Sequence, residues 1–323
     1  MIRTGACRFA STRRPSEAGP TVIAVRDGSA SLPPGVRLTA GRGGLPRAEV
    51  TTSLASAEVY LQGAHVAAYA PGGGAPVLFL SEASRFAPGL PIRGGIPLAF
   101  PWFARKAGEP AAPLHGLARL VPWALEAATR DTAGVVGLTF ALAGVSDPAW
   151  PEGCALRYRV EIGDRLRLVL EVDNHGPGPV VFENVLHTYL AVGDVGAVSV
   201  TGLAGAAFVD EADGSARKRE GSAPLRVRGE TVRIYDHRDA PCVVEDPGGR
   251  RRLEVTKTGS ASTVVWNPGA ERARALPDLG DDEWPDFVCV ESGNVGSGGA
   301  VRLAPGACHR LDVSVRALPW EGV

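Results

Sequence analysis

Two arginines, two histidines and one glutamate are the residues of this sequence whose settings suit chemistry. Arg93 stands in Pro91-Ile92-Arg93-Gly94-Gly95, beside two glycines that allow backbone to come close to a ligand. Arg119 closes the string His115-Gly116-Leu117-Ala118-Arg119. Singly, each arginine reads as a solvated loop residue. As a pair, their planar donor forks match the oxygens of one phosphate group, with His115 as a neighbouring substrate contact. His187 and Glu291 are candidates for moving protons. Alternation over residues 180–191 puts Val180, Phe182, Leu186 and Leu190 on one face and Glu183, Val185, His187 and Tyr189 on the other. An imidazole on that second face is either structural or an acid/base group. Glu291 ends the apolar run Phe287-Val288-Cys289-Val290 and precedes Ser292-Gly293-Asn294. A carboxylate there either meets solvent or, held against an apolar strand with its pKa raised, acts as a general base.

Groups so far apart in sequence need a rigid frame, and the pattern around them is one of strands. Leu156, Tyr158, Val160 and Ile162 alternate with Arg157, Arg159 and Glu161, pause at Gly163-Asp164, and resume as Leu166, Leu168, Leu170 and Val172. A period of two broken by a two-residue turn predicts an antiparallel hairpin. Further strands are predicted over residues 57–61, 77–80, 135–141, 180–191, 231–235, 252–257, 262–266, 286–291 and 310–316. No long segment holds an apolar period of 3.6 residues. The expected fold class is therefore all-β, a large antiparallel sandwich or barrel. No internal repeat or linker follows residue 35, so residues 31–320 are expected to form a single domain.

Composition narrows the partners. The chain has 323 residues, with 34 Lys+Arg against 35 Asp+Glu, so neither nucleic acid nor an anionic membrane surface is expected as a partner. A hydrophobic share of 45% with 21% charged residues is globular rather than disordered. No apolar run approaches the roughly 18 residues that a membrane-spanning helix requires. Gly and Pro, 41 and 26 residues, suit many turns between short strands. Five cysteines without a C-x-x-C pair fit reduced thiols, and a cytoplasmic monomer is expected. No G-x-x-x-x-G-K-[ST], G-x-S-x-G or H-E-x-x-H string occurs, and the glycine clusters at residues 72–74 and 296–299 complete no dinucleotide fingerprint. The histidines form no local pair with Cys or Asp, so no metal and no cofactor is expected unless ligands gather from distant strands.

The amino terminus stands apart. Arg3, Arg8, Arg13 and Arg14 occur with Ser11, Thr12 and Ser16, and no acidic residue precedes Glu17. Such composition suits either an organelle transit peptide or an unstructured Arg-rich start. Residues 1–30 are read as a disordered or targeting segment, and a plastid or mitochondrial location follows if they are a transit peptide. Pro33-Pro34-Gly35 marks the start of the ordered domain.

Six strings in consistent order carry a resemblance: P-I-R-G-G-I-P-L-x-F-P-W-F at residues 91–103, H-G-L-A-R at 115–119, E-N-V-L-H-T-Y at 183–189, W-N-P at 266–268, D-L-G-D-D-E-W at 278–284 and V-C-V-E-S-G at 288–293. Together they resemble the glucose-6-phosphate 1-epimerase family, the hexose-6-phosphate mutarotases related to aldose 1-epimerases, over about residues 35–318. The resemblance implies a large antiparallel β-sandwich of the galactose-mutarotase type with the sugar on a concave sheet face. It also implies that His187 and Glu291 are the catalytic pair, that Arg93 and Arg119 bind the sugar phosphate, and that no cofactor or metal takes part. Two departures stand out. The family commonly has an acidic residue in a T-D-R-x-Y string, where this chain reads Thr231-Val232-Arg233-Ile234-Tyr235, and some members have Gln where this chain has Leu114.

Anomer exchange of a cyclic hexose needs one base for the anomeric hydroxyl and one acid for the ring oxygen, so the implied substrate is a small-molecule hexose 6-phosphate. Glu291 as carboxylate and His187 as imidazolium fill those roles. Two other readings stay open. In an aldose 1-epimerase for unphosphorylated sugars, a neutral C6 hydroxyl would leave two arginines without purpose. A non-catalytic sugar-phosphate binder fits Val232, which has no polar side chain for a hydroxyl.

Overall fold

The computed structural model describes residues 32–296 and 298–321, together with the two-residue strand Ile23–Ala24. Apart from that strand, the segment 1–30 lies outside the described residues, as does Cys7. Two large sheets dominate, with antiparallel ladders throughout. The nine-stranded sheet runs in the order Ile23–Ala24, Ala124–Arg130, Val136–Leu142, Cys154–Ile162, Leu166–Asn174, Cys308–Pro319, Arg251–Thr258, Cys242–Asp246 and Ser199–Thr201. Its inner face carries Phe140, Tyr158, Val160, Leu168, Leu170, Leu311 and Val313, all buried in one core cluster. The alternate residues face outward and pair as ions, Arg167 with Asp312 at 2.7 Å and Arg310 with Glu171 at 2.8 Å. This in/out period of two is what the alternating sequence predicts.

The second sheet runs Ala216–Arg219, Ala207–Asp210, Thr231–Asp236, Ser262–Asn267, Phe287–Asn294, Asn184–Leu186 and Leu98–Ala99, with Tyr189–Ala191 also on Phe287–Asn294. Phe287–Asn294 is buried at every residue. Its two faces have different tasks. Val288 and Val290, with Val265, Leu186 and Leu190, enter the main core, while Phe287 and Cys289 join Tyr189, Phe79 and Leu279 on the opposite side. Fully burying each such aliphatic or aromatic side chain contributes about 1.5–3 kcal/mol, so the sheet's back face anchors the strands that carry polar groups on its front. A four-stranded sheet, Val36–Ala40, Pro46–Thr51, Ala55–Tyr60 and His65–Pro71, completes the frame. Only one short α-helix, Gly269–Arg274, is found among the described residues.

Three local expectations need correction. The hairpin forms, but Ile162 pairs with Leu166, so the loop has three residues, Gly163, Asp164 and Arg165, rather than a two-residue Gly-Asp turn. The Gly163 N–H donates to the Arg165 carbonyl at 3.1 Å and closes that loop. Residues 180–191 form three short strands, Val180–Phe182, Asn184–Leu186 and Tyr189–Ala191, instead of one. One break falls at Glu183, whose carboxylate accepts the backbone N–H groups of Phe103 at 2.9 Å and Gly296 at 3.1 Å. The other falls at His187, whose N–H turns to the Pro97 carbonyl at 3.0 Å. Residues 77–80 make only single bridges, Leu78 to Leu190 and Leu80 to Gly94. Cys154, Cys242 and Cys289 are buried free thiols, and Cys308 is buried as well.

Candidate active site

His187 and Glu291 meet because of strand register. Leu186 pairs with Ser292 and Tyr189 with Cys289, a register that sets His187 opposite Glu291 despite the break in the ladder. Their side chains are 8% and 1% exposed, and His187 Nε2 lies 3.3 Å from Glu291 Oε1. The contact is out of line for a hydrogen bond, and both Glu291 oxygens and His187 Nδ1 are buried with no hydrogen-bond partner. Three rings fix the imidazole: Tyr189 stacks on it at 4.8 Å and 13°, while Trp266 at 5.7 Å and His115 at 5.4 Å meet it edge-on.

Burial dominates the electrostatics of this pair. It raises the Glu291 carboxyl well above its ordinary range. Burial, then the charges of Arg93 and Arg119, push the His187 imidazolium well below its own. Both shifts favour the neutral forms, a protonated carboxyl and an uncharged imidazole. His115 is lowered for the same reasons, with burial first and Arg119 next. Its Nδ1 accepts the Ala104 N–H at 3.1 Å, which leaves Nε2–H of the neutral ring as a donor.

The two arginines arrive from separate loops. Arg93 Nη2 donates to both oxygens of Asp278 at 3.0 and 3.1 Å, and its Nη1 to the Tyr189 hydroxyl at 3.0 Å. Although burial opposes its charge, Tyr189 and Asp278 raise its pKa. Arg119 Nη2 donates to the Leu114 carbonyl at 2.8 Å. Burial and the neighbouring Arg93 bring its pKa down to about 10. The Nε atoms of both arginines are buried without partners. Two guanidinium groups against the single carboxylate of Asp278 leave one positive charge unbalanced, a setting that favours an anion.

The glycines beside Arg93 serve the protein rather than a ligand. A Cβ on Gly94 would lie 2.5 Å from the Phe79 carbonyl oxygen, and one on Gly95 2.3 Å from that of Val66. Their close approach to neighbouring backbone sets the loop that carries Arg93. Val232 pairs with Trp266, and Trp266 pairs with Cys289, so Val232 shares the sheet face of Trp266 and Glu291. Ile234 and Val264 continue that face as an apolar strip with Phe103, Val185 and Val295. Leu114 is 43% exposed, and its carbonyl is the acceptor for Arg119.

The fold thus brings together all five residues singled out in the sequence. It adds Tyr189, Asp278, Trp266 and Cys289. Tyr189 was readable as a residue on the His187 face. Asp278 lies 185 positions from Arg93, and no spacing rule joins them. Cys289 lies two positions before Glu291 on the same strand face, and His187, Cys289 and Glu291 offer one ligand atom each within 4.8 Å of one another. Elsewhere, the depression on the outer face of the nine-stranded sheet is lined by charges already paired, Arg159 with Glu161 and Arg310 with Glu171. Among the described residues no helix is long and apolar enough to cross a membrane.

Known proteins resemble this chain over most of its length. Residues 47–316 match the family described as Aldose 1-epimerase. A protein of Salmonella typhimurium named "Putative glucose-6-phosphate 1-epimerase" is 35% identical over 237 residues, 72% of this chain and 77% of its own. One of the same name from Cenchrus ciliaris is 29% identical over 273 residues, 81% of this chain and 82% of its own. The crystal structure of a "putative mutarotase" from Salmonella typhimurium is similar with a TM-score of 0.83 at 29% identity, covering 90% of this chain and 95% of that one.

Proposed function

We propose that this chain, which belongs to the aldose 1-epimerase family, is an isomerase that interconverts the α and β anomers of hexose 6-phosphates, with glucose 6-phosphate as the first substrate to test. The observation that carries the reading is a buried acid/base pair, His187 and Glu291, beside two arginines whose charge is only half balanced. Ring opening requires one group to take a proton and a second group to give one. Glu291 as carboxylate takes the proton of the anomeric hydroxyl, His187 as imidazolium gives one to the ring oxygen, and the C1–O5 bond breaks to leave the aldehyde. Rotation about C1–C2 and the reverse transfers close the other anomer. Each proton-transfer group contributes about 10²- to 10⁴-fold.

The substrate itself prepares the pair. Arg93 and Arg119 depress His187 in the free protein. A phosphate dianion seated on them offsets both charges, raises the basicity of His187 and draws the proton from Glu291. Phosphate binding thereby produces the carboxylate and imidazolium that the reaction uses. His115 donates its Nε2–H to a substrate oxygen, and Tyr189 with Asp278 holds Arg93 in place. One chain carries every residue the reaction uses, which suits a monomer. The buried thiols of Cys154, Cys242 and Cys289 suit a reducing cytoplasm.

One observation favours a second reading, a sugar-phosphate binder without turnover: Val232 places an apolar side chain on the site face. NMR exchange spectroscopy on the α and β signals of glucose 6-phosphate, with glucose as control, separates the readings. Accelerated exchange of the phosphosugar alone supports the proposal. Binding without exchange supports the binder, and equal acceleration of both sugars supports an epimerase for unphosphorylated sugars.

A further inference from the structure

Cys289 takes no part in the chemistry above. It sits on the same face of Phe287–Asn294 as Glu291, fully buried, and pairs across the sheet with Tyr189 and Trp266. Its thiol sulfur, an imidazole nitrogen of His187 and a carboxylate oxygen of Glu291 all lie within 4.8 Å of one another. A second observation points the same way: both Glu291 oxygens and His187 Nδ1 are buried with no hydrogen-bond partner. The donors are one nitrogen, one sulfur and one oxygen. Such a set suits a soft or borderline divalent ion with tetrahedral geometry, and does not suit magnesium or calcium, which take oxygen ligands.

We propose that His187, Cys289 and Glu291 form an inhibitory site for zinc-class divalent cations, zinc or cadmium, which compete with the sugar for His187 and Glu291. Small side-chain rotations draw the three donors onto one ion, and a water fills the fourth position. As the metal–sulfur bond forms, the thiol proton leaves to solvent, and any proton held by Glu291 leaves with it. Arg93 and Arg119 oppose a further cation, so the affinity rests on the thiolate, and this makes Cys289 the residue on which the site depends.

The test uses zinc chloride and cadmium chloride with the full chain. Zinc is expected to slow glucose 6-phosphate anomer exchange competitively with the sugar and reversibly with EDTA. The variant Cys289→Ala is expected to keep exchange activity and to need at least about tenfold more zinc for the same inhibition. Cadmium is expected to produce a thiolate charge-transfer absorption in the ultraviolet that disappears in Cys289→Ala and weakens in His187→Asn. That absorption does not depend on turnover, so it decides the metal site even if no anomer exchange is found. Should Cys289→Ala fail to fold, Cys289→Ser gives the same readouts. Equal zinc sensitivity in wild type and variant, or a cadmium absorption that is absent or survives the loss of Cys289, overturns the proposal.

Discussion

His187 and Glu291 are each unremarkable in sequence, and only their opposition across two strands makes them a pair. Burial sets their character, because it penalises the charged form of both. Arg93 and Arg119 were legible as a possible anion site from residue type alone. Their partner Asp278 was not, because that contact exists only after the chain has folded between distant positions. The residue-scale prediction concerns these arginines. Arg93→Ala or Arg119→Ala should weaken glucose 6-phosphate binding by about 1.5–3 kcal/mol, the range for a hydrogen bond to a charged group, while binding of glucose changes far less. Titration calorimetry with both sugars checks this, and equal losses would show that the arginines hold the loops rather than the ligand.

At the scale of elements, alternation correctly separates Leu186 and Leu190 from Val185, His187 and Tyr189, although the strand is broken at two points. The breaks were illegible because they arise from tertiary hydrogen bonds, those of Glu183 to Phe103 and Gly296 and that of His187 to Pro97. The strands Pro46–Thr51 and His65–Pro71 were also missed: the alternation of Arg47, Ala48, Glu49 and Val50 is short and rests on a small alanine, and His65–Pro71 does not alternate. The loop of Arg93 depends on Gly95, which has φ +61° and no room for a Cβ against Val66. Gly95→Ala should destabilise the protein by about 1–3 kcal/mol through overpacking and lower the affinity for phosphosugar. Gly89→Ala, at φ +76° with no atom within 4 Å, is the control for backbone strain alone. Chemical denaturation of both variants checks the point; similar losses would mean that crowding at Gly95 matters little.

At the scale of the molecule, the all-β sandwich was legible from the period of two and from the absence of a helical one, because inner faces must be apolar and outer faces polar in any such sheet. The same packing buries histidines and sets an acid limit on stability. Burial, aided by Arg119, lowers His65 to about 3, and burial lowers His309 to about 4. The unfolded chain binds protons at these sites near the ordinary value of 6.5, so between there and about 4 the unfolded state gains protons that the folded state refuses. Their stabilisation is complete above the ordinary value and is lost as pH falls. Glu291, whose folded pKa is raised, acts with the opposite sign and offsets His187. The thermal midpoint should therefore fall steadily as pH drops from neutrality toward 4.5, and His309→Gln should flatten that slope. A midpoint level down to pH 4.5 would contradict this account.

The central claim is that Glu291 takes the proton of the anomeric hydroxyl while His187 gives one to the ring oxygen. Glu291→Gln keeps the shape of the side chain and removes its ability to accept that proton. With the variant saturated by glucose 6-phosphate, exchange spectroscopy should show α/β interconversion at the rate of solvent alone, while the phosphosugar still binds. Near wild-type exchange in the saturated variant would contradict the account.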